Sequence, residues 1–214
     1  MDRRDRIGDN PMKPCETSTQ GALVSINESE TEGTFPTLTT SRLSLREVFP
    51  SDAPSLFAVH GDAEGMRWFG TDPMTDIAEA DKLVQVFADW RRSGSGVRWA
   101  VERLSDGLLL GTCGLFRWNR KWRSCVVGYE LATFARGNGY MREALYAAID
   151  YGFDVMQINR IEAQVHPQNA ASIQVLETLG FVREGRQRQA GYWRDAYHDL
   201  LQFSLLRSDC VRRG

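Results

Sequence analysis

Apolar and polar residues begin to recur at regular spacings near Thr39, and the period changes several times from there on. In the segment SRLSLREV, Leu43 and Leu45 alternate with polar residues, which predicts a strand. Ser51 or Asp52 supplies an N-cap for a first helix in APSLFAVHGD. The next segment, DPMTDIAEADKLVQVFADWRR, repeats its apolar residues at helical spacing, so it predicts a second, amphipathic helix that ends at SGSG.

The middle of the chain shows three short β-patterns separated by turn signals. We predict strands over Val97–Glu102, Leu108–Phe116 and Val126–Leu131, with a turn at SDG between the first two. The connector RWNRKWR between the second and third strands is basic and aromatic. It is typical of a solvated hairpin tip, and a contact surface for an acidic partner is the alternative.

The period returns to that of a helix in YMREALYAAIDYGFDVMQ, where Met141, Leu145 and Ala148 fall on one face. NRIEAQVHP then predicts a strand, and NAASIQVLETLG predicts a short helix with Asn169 as its N-cap and Gly180 just past its end. FVREGRQRQ and DAYHDLLQFSLL predict two last strands. This order of elements predicts an α/β fold, with a mixed sheet and helices on both of its faces.

Residues 1–36 are polar, contain Gly, Pro, Ser and Thr, and show little periodicity. We interpret them as a flexible N-terminal tail, which the acidic piece NESETEG fits. Residues 37–208 then form one folded domain. A partner-binding arm is the alternative for the tail.

Composition and charge narrow the classes of function. The chain is 42% hydrophobic and 25% charged, which is ordinary for a soluble globular protein. Its net charge of −2 favours neither nucleic acid nor an anionic membrane as a partner. Met1–Gln20 holds no apolar stretch of signal-peptide length, and the most apolar stretch, Leu108–Phe116, is too short to span a bilayer. We therefore expect a cytoplasmic protein.

The four cysteines are widely separated and form no CxxC pair; they are Cys15, Cys113, Cys125 and Cys210. No His/Cys cluster has the spacing of metal ligands, so we expect no metal. Free thiols in a reducing compartment are the expectation, and an oxidised pair of Cys113 and Cys125 across a hairpin is the alternative.

One short segment carries candidate binding chemistry. FARGNGYMREAL places Gly137 and Gly139 directly before a helix, with Arg136 ahead of them. The first N–H groups of a helix lack intrahelical partners, and glycines let the backbone approach a phosphate closely, so the segment suits an anion. It is not the dinucleotide GxGxxG, because no third glycine follows, and it is not a P-loop, because Gly-Lys-Ser/Thr is missing. A plain connecting turn is the alternative.

The context of this turn resembles a known family. VGYELATFARGNGYMREAL, followed by NRIEAQVHPQNAASIQVLETLGFVREG, resembles the GNAT superfamily of acyl-CoA N-acyltransferases. Within it, the chain is most similar to the ribosomal-protein N-terminal (alanine/serine) acetyltransferase branch, which SRLSLRE and LGTCGL also fit in order. The resemblance covers about Thr37–Arg207. It implies a single GNAT-like domain with a mixed, mostly antiparallel central sheet, and acetyl-CoA as the co-substrate.

The resemblance also implies which residues hold acetyl-CoA. The family's pyrophosphate loop, Arg/Gln-x-x-Gly-x-Gly/Ala, falls on Arg136, Gly139 and Met141. Met141 replaces a small residue, so its side chain has to point into the core if the loop is to stay open. The strand before the loop would pair with the pantetheine arm, and Asn169 would lie beside that arm while capping its helix. The expected cofactor-binding residues are Tyr129, Glu130, Leu131, Arg136, Gly137, Asn138, Gly139, Tyr140, Met141, Asn169 and Ser172.

The chemistry is a direct attack of a neutral amine on the thioester, and it needs no covalent enzyme intermediate. In the resembled branch Ser172 is proposed to protonate the departing sulfur, whereas a helix-surface serine bonded to its own first turn is the alternative. Leu176 stands where other branches carry a tyrosine. The family's base positions fall on Gln164 and Gly191, which cannot take a proton, so our candidate base is Glu130, with an outward-facing strand residue as the alternative. Further candidates, each of which also suits a turn or packing role, are His166, Asp195 and His198.

We expect an N-acetyltransferase whose acceptor is a primary amine, and a protein N-terminal α-amine first of all. An α-amine with a pKa of roughly 7.7–8.0 is about a tenth neutral at pH 7. The pKa of lysine, about 10.4, is roughly 2.5 higher, so forming the neutral amine of a lysine costs about 3.5 kcal/mol more. The alternatives are a small-molecule amine (an aminoglycoside or a polyamine) and a non-catalytic acyl-CoA-binding module. Tyr192 and Trp193 either shape the acceptor pocket or pack a hairpin. The oligomeric state stays open, with a homodimer among the possibilities.

Overall fold

The computed structural model describes residues 34–211, so nearly all of the predicted tail lies outside the described residues, as does Cys15. Strands and helices follow the predicted order, with two additions that were not predicted, a two-residue first strand and a short last helix. The strands are β1 (Leu38–Thr39), β2 (Leu43–Arg46), β3 (Gly96–Arg103), β4 (Leu108–Asn119), β5 (Ser124–Leu131), β6 (Arg160–Val165), β7 (Val182–Trp193) and β8 (Ala196–Leu206). The helices are α1 (Ala53–His60), α2 (Ile77–Arg92), α3 (Tyr140–Asp154), α4 (Ala170–Thr178) and α5 (Arg207–Val211).

The strands of the described chain form one eight-stranded sheet in the order β1-β2-β3-β4-β5-β6-β8-β7. Neighbouring strands run antiparallel throughout, except that β5 and β6 run parallel. The sheet is therefore mixed and mostly antiparallel, and this part of the prediction is confirmed.

Helices cover both faces of the sheet. α3 packs against β1, β2, β4 and β5, and its predicted apolar face of Met141, Leu145 and Ala148 is buried in the main core. α1 and α2 pack on the opposite face over β3 and β4. A second, smaller core lies there and contains Val48, Ala53, Leu56, Ala80, Val84, Phe87, Ala100 and Leu109. Because successive residues of a strand face opposite sides, a residue's position along β3, β4 or β5 decides which helix layer it meets.

Two further local features differ from the sequence prediction. β4 reaches Asn119, beyond its predicted end, so part of the basic connector is strand and only its tip projects, with Trp122 at 74% exposure. The side chain of Asp52 does not cap α1. Its carboxylate instead pairs with Arg46 at 2.8 Å, which ties the start of α1 to β2.

The suggested pairing of two cysteines across the hairpin is wrong. Cys113 lies opposite Tyr129 in the β4–β5 register, whereas Cys125 lies at the start of β5. Both thiols are free and buried, and burial raises the pKa of each to about 12. They therefore stay protonated at neutral pH, and a protonated thiol is a poor nucleophile and metal ligand.

Residues 34–211 contain no helix that is long and apolar enough to cross a membrane. In the same residues, no three side chains among His, Cys, Asp and Glu are grouped so that they could hold a metal ion.

Candidate active site

The parallel strands β5 and β6 diverge soon after they meet. Their pairing spans Ser124–Val126 and Arg160–Glu162, although β5 continues to Leu131 and β6 to Val165. A cleft of about 890 Å³ is lined by β5, by the turn before α3 and by the start of α4. The structure brings every predicted cofactor-binding residue to this cleft: Tyr129, Glu130, Leu131, Arg136, Gly137, Asn138, Gly139, Tyr140, Met141, Asn169 and Ser172.

The glycine-rich turn forms one wall of the cleft. Gly137 and Gly139 both adopt the left-handed region, with φ of 78° and 77°, which L side chains rarely take. A Cβ on Gly137 would meet no atom within 4 Å, so this stretch of backbone borders open space. Asn138 folds its side-chain amide back onto two preceding carbonyls. Because α3 begins directly afterwards at Tyr140, the N–H groups of its first turn and the positive end of its dipole lie at the cleft.

An ion pair between Glu143 and Arg42 supports this turn. Glu143, in the first turn of α3, accepts hydrogen bonds from Thr40 Oγ1 at 2.6 Å and from Arg42 Nε at 2.7 Å. Arg42 Nη1 donates to the Asn138 carbonyl at 3.1 Å, and its guanidinium carbon lies 4.6 Å from the centre of the Tyr140 ring. The start of the domain and the turn are therefore fixed to each other through this ion pair and the hydrogen bonds beside it.

Two further arginines at the turn differ in their surroundings. Arg136, the cation predicted to add positive charge, donates from Nη2 to the backbone carbonyls of Gly65 at 2.7 Å and Leu131 at 3.1 Å. Its guanidinium therefore links the turn to the α1–α2 connector. Arg142 is exposed on the first turn of α3, and its Nη2 lies 4.0 Å from the place where a Cβ of Gly139 would stand. Arg42 Nη2 lies nearer that point, at 3.6 Å, but Arg42 is paired with Glu143. Arg142 is thus better placed than Arg42 or Arg136 to meet an anion at the turn, and it was not among the predicted residues.

Met141, which departs from the family's loop pattern, lies with its side chain in the main core at 5% exposure. Its position on the apolar face of α3 accounts for this orientation, because that face packs against the sheet. The substitution therefore leaves the turn open, as the resemblance required.

The start of α4 forms the opposite wall of the cleft. Asn169 caps this helix as predicted, since its Oδ1 accepts from the Ser172 N–H at 3.2 Å. The Ser172 hydroxyl lies 2.7 Å from the phenol oxygen of Tyr129 on β5, and that oxygen also lies 3.3 Å from the Ser172 carbonyl. Burial raises the pKa of the Tyr129 phenol to about 12, so it is protonated at neutral pH. Ser172 therefore contacts β5 as well as its own helix, which the alternative of a serine bonded only to its own first turn does not include.

Glu130, the candidate base, faces the other helix layer because it follows Tyr129 along the strand. Its carboxylate is buried, accepts hydrogen bonds from Arg98 and Thr112, and lies 3.5 Å from His60 Nε2. Burial alone would raise the pKa of this carboxyl, but Arg98 and the polar neighbours outweigh it and the pKa is lowered. Glu130 is thus neither a free base nor the outward-facing residue that was the alternative. It is one half of a buried ion pair.

The other candidate bases are engaged in packing or in a turn. His166 accepts a backbone N–H at 3.1 Å on Nδ1, and its ring stacks on Trp68 with centroids 4.1 Å apart. Burial and then the neighbouring His198 lower the pKa of His166. His198 stacks on Trp193 with centroids 3.8 Å apart, and Asp195 lies in the β7–β8 turn with a φ of 54°. These contacts favour the packing and turn roles over proton transfer.

Packing leaves no room for a longer side chain at one of the two family base positions, Gly191. A Cβ on Gly191 would stand 2.4 Å from Cζ3 of Trp193, so the indole fills the space that a longer side chain would need. Trp193 is buried and donates from Nε1 to the Arg67 carbonyl at 3.3 Å, whereas Tyr192 is exposed. Neither aromatic residue is part of the cleft lining, which favours the hairpin-packing alternative for both. Gln164 donates to a glutamine of β7 on the exposed side of the sheet.

The connector between α1 and α2 lines the cleft as well, and the sequence analysis did not find it. This segment has no apolar period, and its only signal is a cluster of large apolar side chains in a loop that is otherwise polar and rich in glycine. Its lining residues are Glu64, Gly65, Met66, Trp68 and Phe69. They bring an aromatic wall to the side of the cleft that faces His166.

The sequence matches a family model and several known proteins. The family model described as Acetyltransferase (GNAT) domain matches residues 42–182. The uncharacterised N-acetyltransferase YoaA of Bacillus subtilis is 34% identical over 173 residues, which cover 81% of this chain and 98% of that protein. The putative ribosomal N-acetyltransferase YdaF of the same species is 27% identical, with shares of 78% and 92%.

Solved structures show the same fold. The structure of spermidine N-acetyltransferase from Vibrio cholerae in complex with CoA and spermine matches with a TM-score of 0.71. The match covers 80% of this chain and 99% of that one at 23% sequence identity, so the likeness concerns the fold.

Proposed function

The chain belongs to the GNAT acetyltransferase family and is an acyltransferase, and from this premise we propose that it moves an acetyl group from acetyl-CoA to the α-amine of a protein N-terminus. The observation that carries the choice of acceptor is the charge of the cleft. The residues that line it include two glutamates, Glu64 and Glu130, and two arginines, Arg136 and Arg142, but the Glu130 carboxylate points toward His60 on the other face of the sheet. Because Glu130 is already paired with Arg98, the described lining offers no cluster of carboxylates for a polycation such as a polyamine. A single amine needs none.

The residues at the cleft fit acetyl-CoA. The turn at Gly137 and Gly139 offers N–H groups beside open space, and Arg142 adds a cation there, which together suit a diphosphate. The part of β5 beyond its pairing with β6, Val127–Leu131, offers backbone groups to the amides of a pantetheine arm. When bound, acetyl-CoA supplies a thioester carbonyl, and the electron pair of the C–S bond leaves on sulfur as the new C–N bond forms.

Residues of this chain would act on the leaving sulfur, and the surroundings of Glu130 decide how the acceptor amine loses its proton. Ser172 would donate its hydroxyl proton to the departing sulfur and would regain a proton, through water, from the acceptor nitrogen, which loses one as the amide forms. The Asn169 amide, whose oxygen is used by the cap, would donate to the arm. With the Glu130 carboxylate held by Arg98, the acceptor would enter already neutral or lose its proton to water. At pH 7 this costs an α-amine only about 1.4 kcal/mol, because about a tenth of it is neutral. A non-catalytic binding module is not retained, because the family is one of acetyltransferases.

Acceptor competition tests this proposal. Mass spectrometry would follow acetyl transfer at pH 7 to peptides with a free Ala or Ser N-terminus, to N-terminally blocked peptides with one internal lysine, and to spermidine. We expect the free N-termini to react at least about tenfold faster than the lysine peptide, because far less lysine is neutral. Reactions without enzyme and with Ser172→Ala, for which we expect about a hundredfold lower kcat, serve as controls. Efficient acetylation of lysine or spermidine with slow N-terminal transfer would overturn the choice of acceptor.

A further inference from the structure

The phenol of Tyr129 lies in the wall of the cleft and contacts Ser172, the candidate acid. Its oxygen lies 2.7 Å from Ser172 Oγ and 3.3 Å from the Ser172 carbonyl. A buried phenol usually donates its proton to an acceptor within reach, and the shorter contact is the one to Oγ. If Tyr129 donates to Oγ, the single hydroxyl proton of Ser172 must point elsewhere.

The direction of that serine proton matters because a helical serine has a competing partner. A serine near a helix N-terminus can turn its O–H back to a carbonyl of the preceding turn, and it then offers no proton outward. Here Asn169 Oδ1 accepts a hydrogen bond from the Ser172 backbone N–H, and the Tyr129 phenol is within hydrogen-bond distance of Ser172 Oγ. Two neighbours therefore restrain both the backbone and the hydroxyl of Ser172 at a residue that lines the cleft.

We propose that Tyr129 is a positioning residue, whose O–H donates to Ser172 Oγ and so directs the Ser172 proton into the cleft, toward the departing sulfur. The inference rests on the proposed function, because it takes the cleft to hold acetyl-CoA. The phenol acts through Ser172 and is itself unchanged by the reaction. Since its pKa is about 12, it remains a donor throughout the pH range in which an α-amine becomes neutral.

A binding experiment tests the contact without turnover. Calorimetry would compare CoA with desulfo-CoA, which lacks the sulfur. We expect the wild-type protein to bind CoA about three- to tenfold more tightly than desulfo-CoA, as one hydrogen bond to sulfur would give. Tyr129→Phe and Ser172→Ala should both reduce this ratio toward one. Tyr192→Phe, which removes an exposed phenol hydroxyl outside the cleft, should leave it unchanged.

The outcomes separate the inference from its premise. If Tyr129→Phe keeps the wild-type ratio while Ser172→Ala loses it, Tyr129 does not position Ser172 and the inference is overturned. If the wild-type protein binds neither CoA nor desulfo-CoA, the proposed function itself fails.

Kinetics supply a second readout that a merely structural role would not move. With an accepted N-terminal peptide, Tyr129→Phe should lower kcat about ten- to hundredfold and leave KM for acetyl-CoA unchanged. In the Ser172→Ala background the same change should alter kcat by less than about twofold, because the group that Tyr129 positions is gone. An equal loss in both backgrounds, or a loss confined to KM, would overturn the inference.

Discussion

Replacing Glu130 with glutamine separates a structural role of this residue from a catalytic one. The Glu130 side chain is 2% exposed and its partner Arg98 is 5% exposed. Glu130→Gln keeps the size of the side chain but removes its charge, so the guanidinium is left buried without a counterion. Removing one member of such a pair costs about 3–5 kcal/mol, because the desolvated charge that remains is uncompensated.

That loss is large compared with the total stability of a domain, which is typically about 5–15 kcal/mol. At about 2–4 °C per kcal/mol for a chain of this size, it lowers the melting temperature by roughly 6–20 °C. Glu184→Gln is the matched control. Glu184 pairs with Arg160 at 2.5 Å, but these side chains are 38% and 27% exposed, so solvent screens the pair and we expect a loss of about 1 kcal/mol or less.

Urea unfolding followed by tryptophan fluorescence measures the stability of both variants, and kcat is measured well below their melting temperatures. We expect a large fall in the unfolding midpoint for Glu130→Gln and a small one for Glu184→Gln. Per folded molecule, kcat of Glu130→Gln should stay within about threefold of the wild type, because the carboxylate is held by Arg98. A Glu130→Gln variant as stable as the wild type whose kcat falls by a hundredfold or more, the range of a lost general base, would refute this reasoning.

Further substitutions test other parts of the site. Met141→Ala removes a buried side chain, so denaturation should show a loss of about 2–5 kcal/mol while calorimetry shows little change in acetyl-CoA affinity. Glu143→Gln breaks the ion pair with Arg42; burial raises the Glu143 pKa, but the hydrogen bonds that it accepts outweigh this and lower the pKa. Its contribution to stability is therefore present above the ordinary value of 4.5 and is lost at lower pH, so the gap in urea midpoint between wild type and variant should shrink from about pH 6 to about pH 3. Gly191→Glu drives a side chain into Trp193, so we expect lower stability and no gain in kcat.

Each of these expectations has a contrary result. Wild-type stability of Met141→Ala together with weak acetyl-CoA binding would mean that this side chain serves the cleft. A midpoint gap that stays constant with pH would mean that Glu143 does not act through its charge. A higher kcat in Gly191→Glu would mean that the Trp193 ring yields and that a base at this position is tolerated.

Local patterns in the sequence predicted much of the fold and the parts of the site that lie on single turns, caps and strands. The turn at Gly137 and Gly139, the cap at Asn169 and the strand that ends at Leu131 each have a signal within a few residues, and the structure brings all of them to one cleft. These elements could be predicted because glycine conformation, capping and alternation depend on neighbours in the chain.

The remaining features depend on contacts between distant segments. Arg98 and Glu130 lie on different strands, and nothing near either residue in the sequence indicates that they pair. Tyr129 and Ser172 likewise meet only because β5 and α4 border the same cleft. The Trp193 ring, which excludes a side chain at position 191, donates its N–H to the carbonyl of Arg67 in a distant segment.

The short pairing of β5 with β6 has a consequence for the protein before it meets its co-substrate. Past Val126, β5 turns a row of backbone donors and acceptors toward the cleft instead of toward β6. Proteins generally protect an open strand edge of this kind, because a foreign chain can add to it and start aggregation. An acetyl-CoA molecule lying along β5 would serve as the missing strand, and at about 100 times its Kd it would add about 2.7 kcal/mol to the stability of the fold. The concentration of acetyl-CoA would then affect the stability of the folded protein as well as its rate of acetyl transfer.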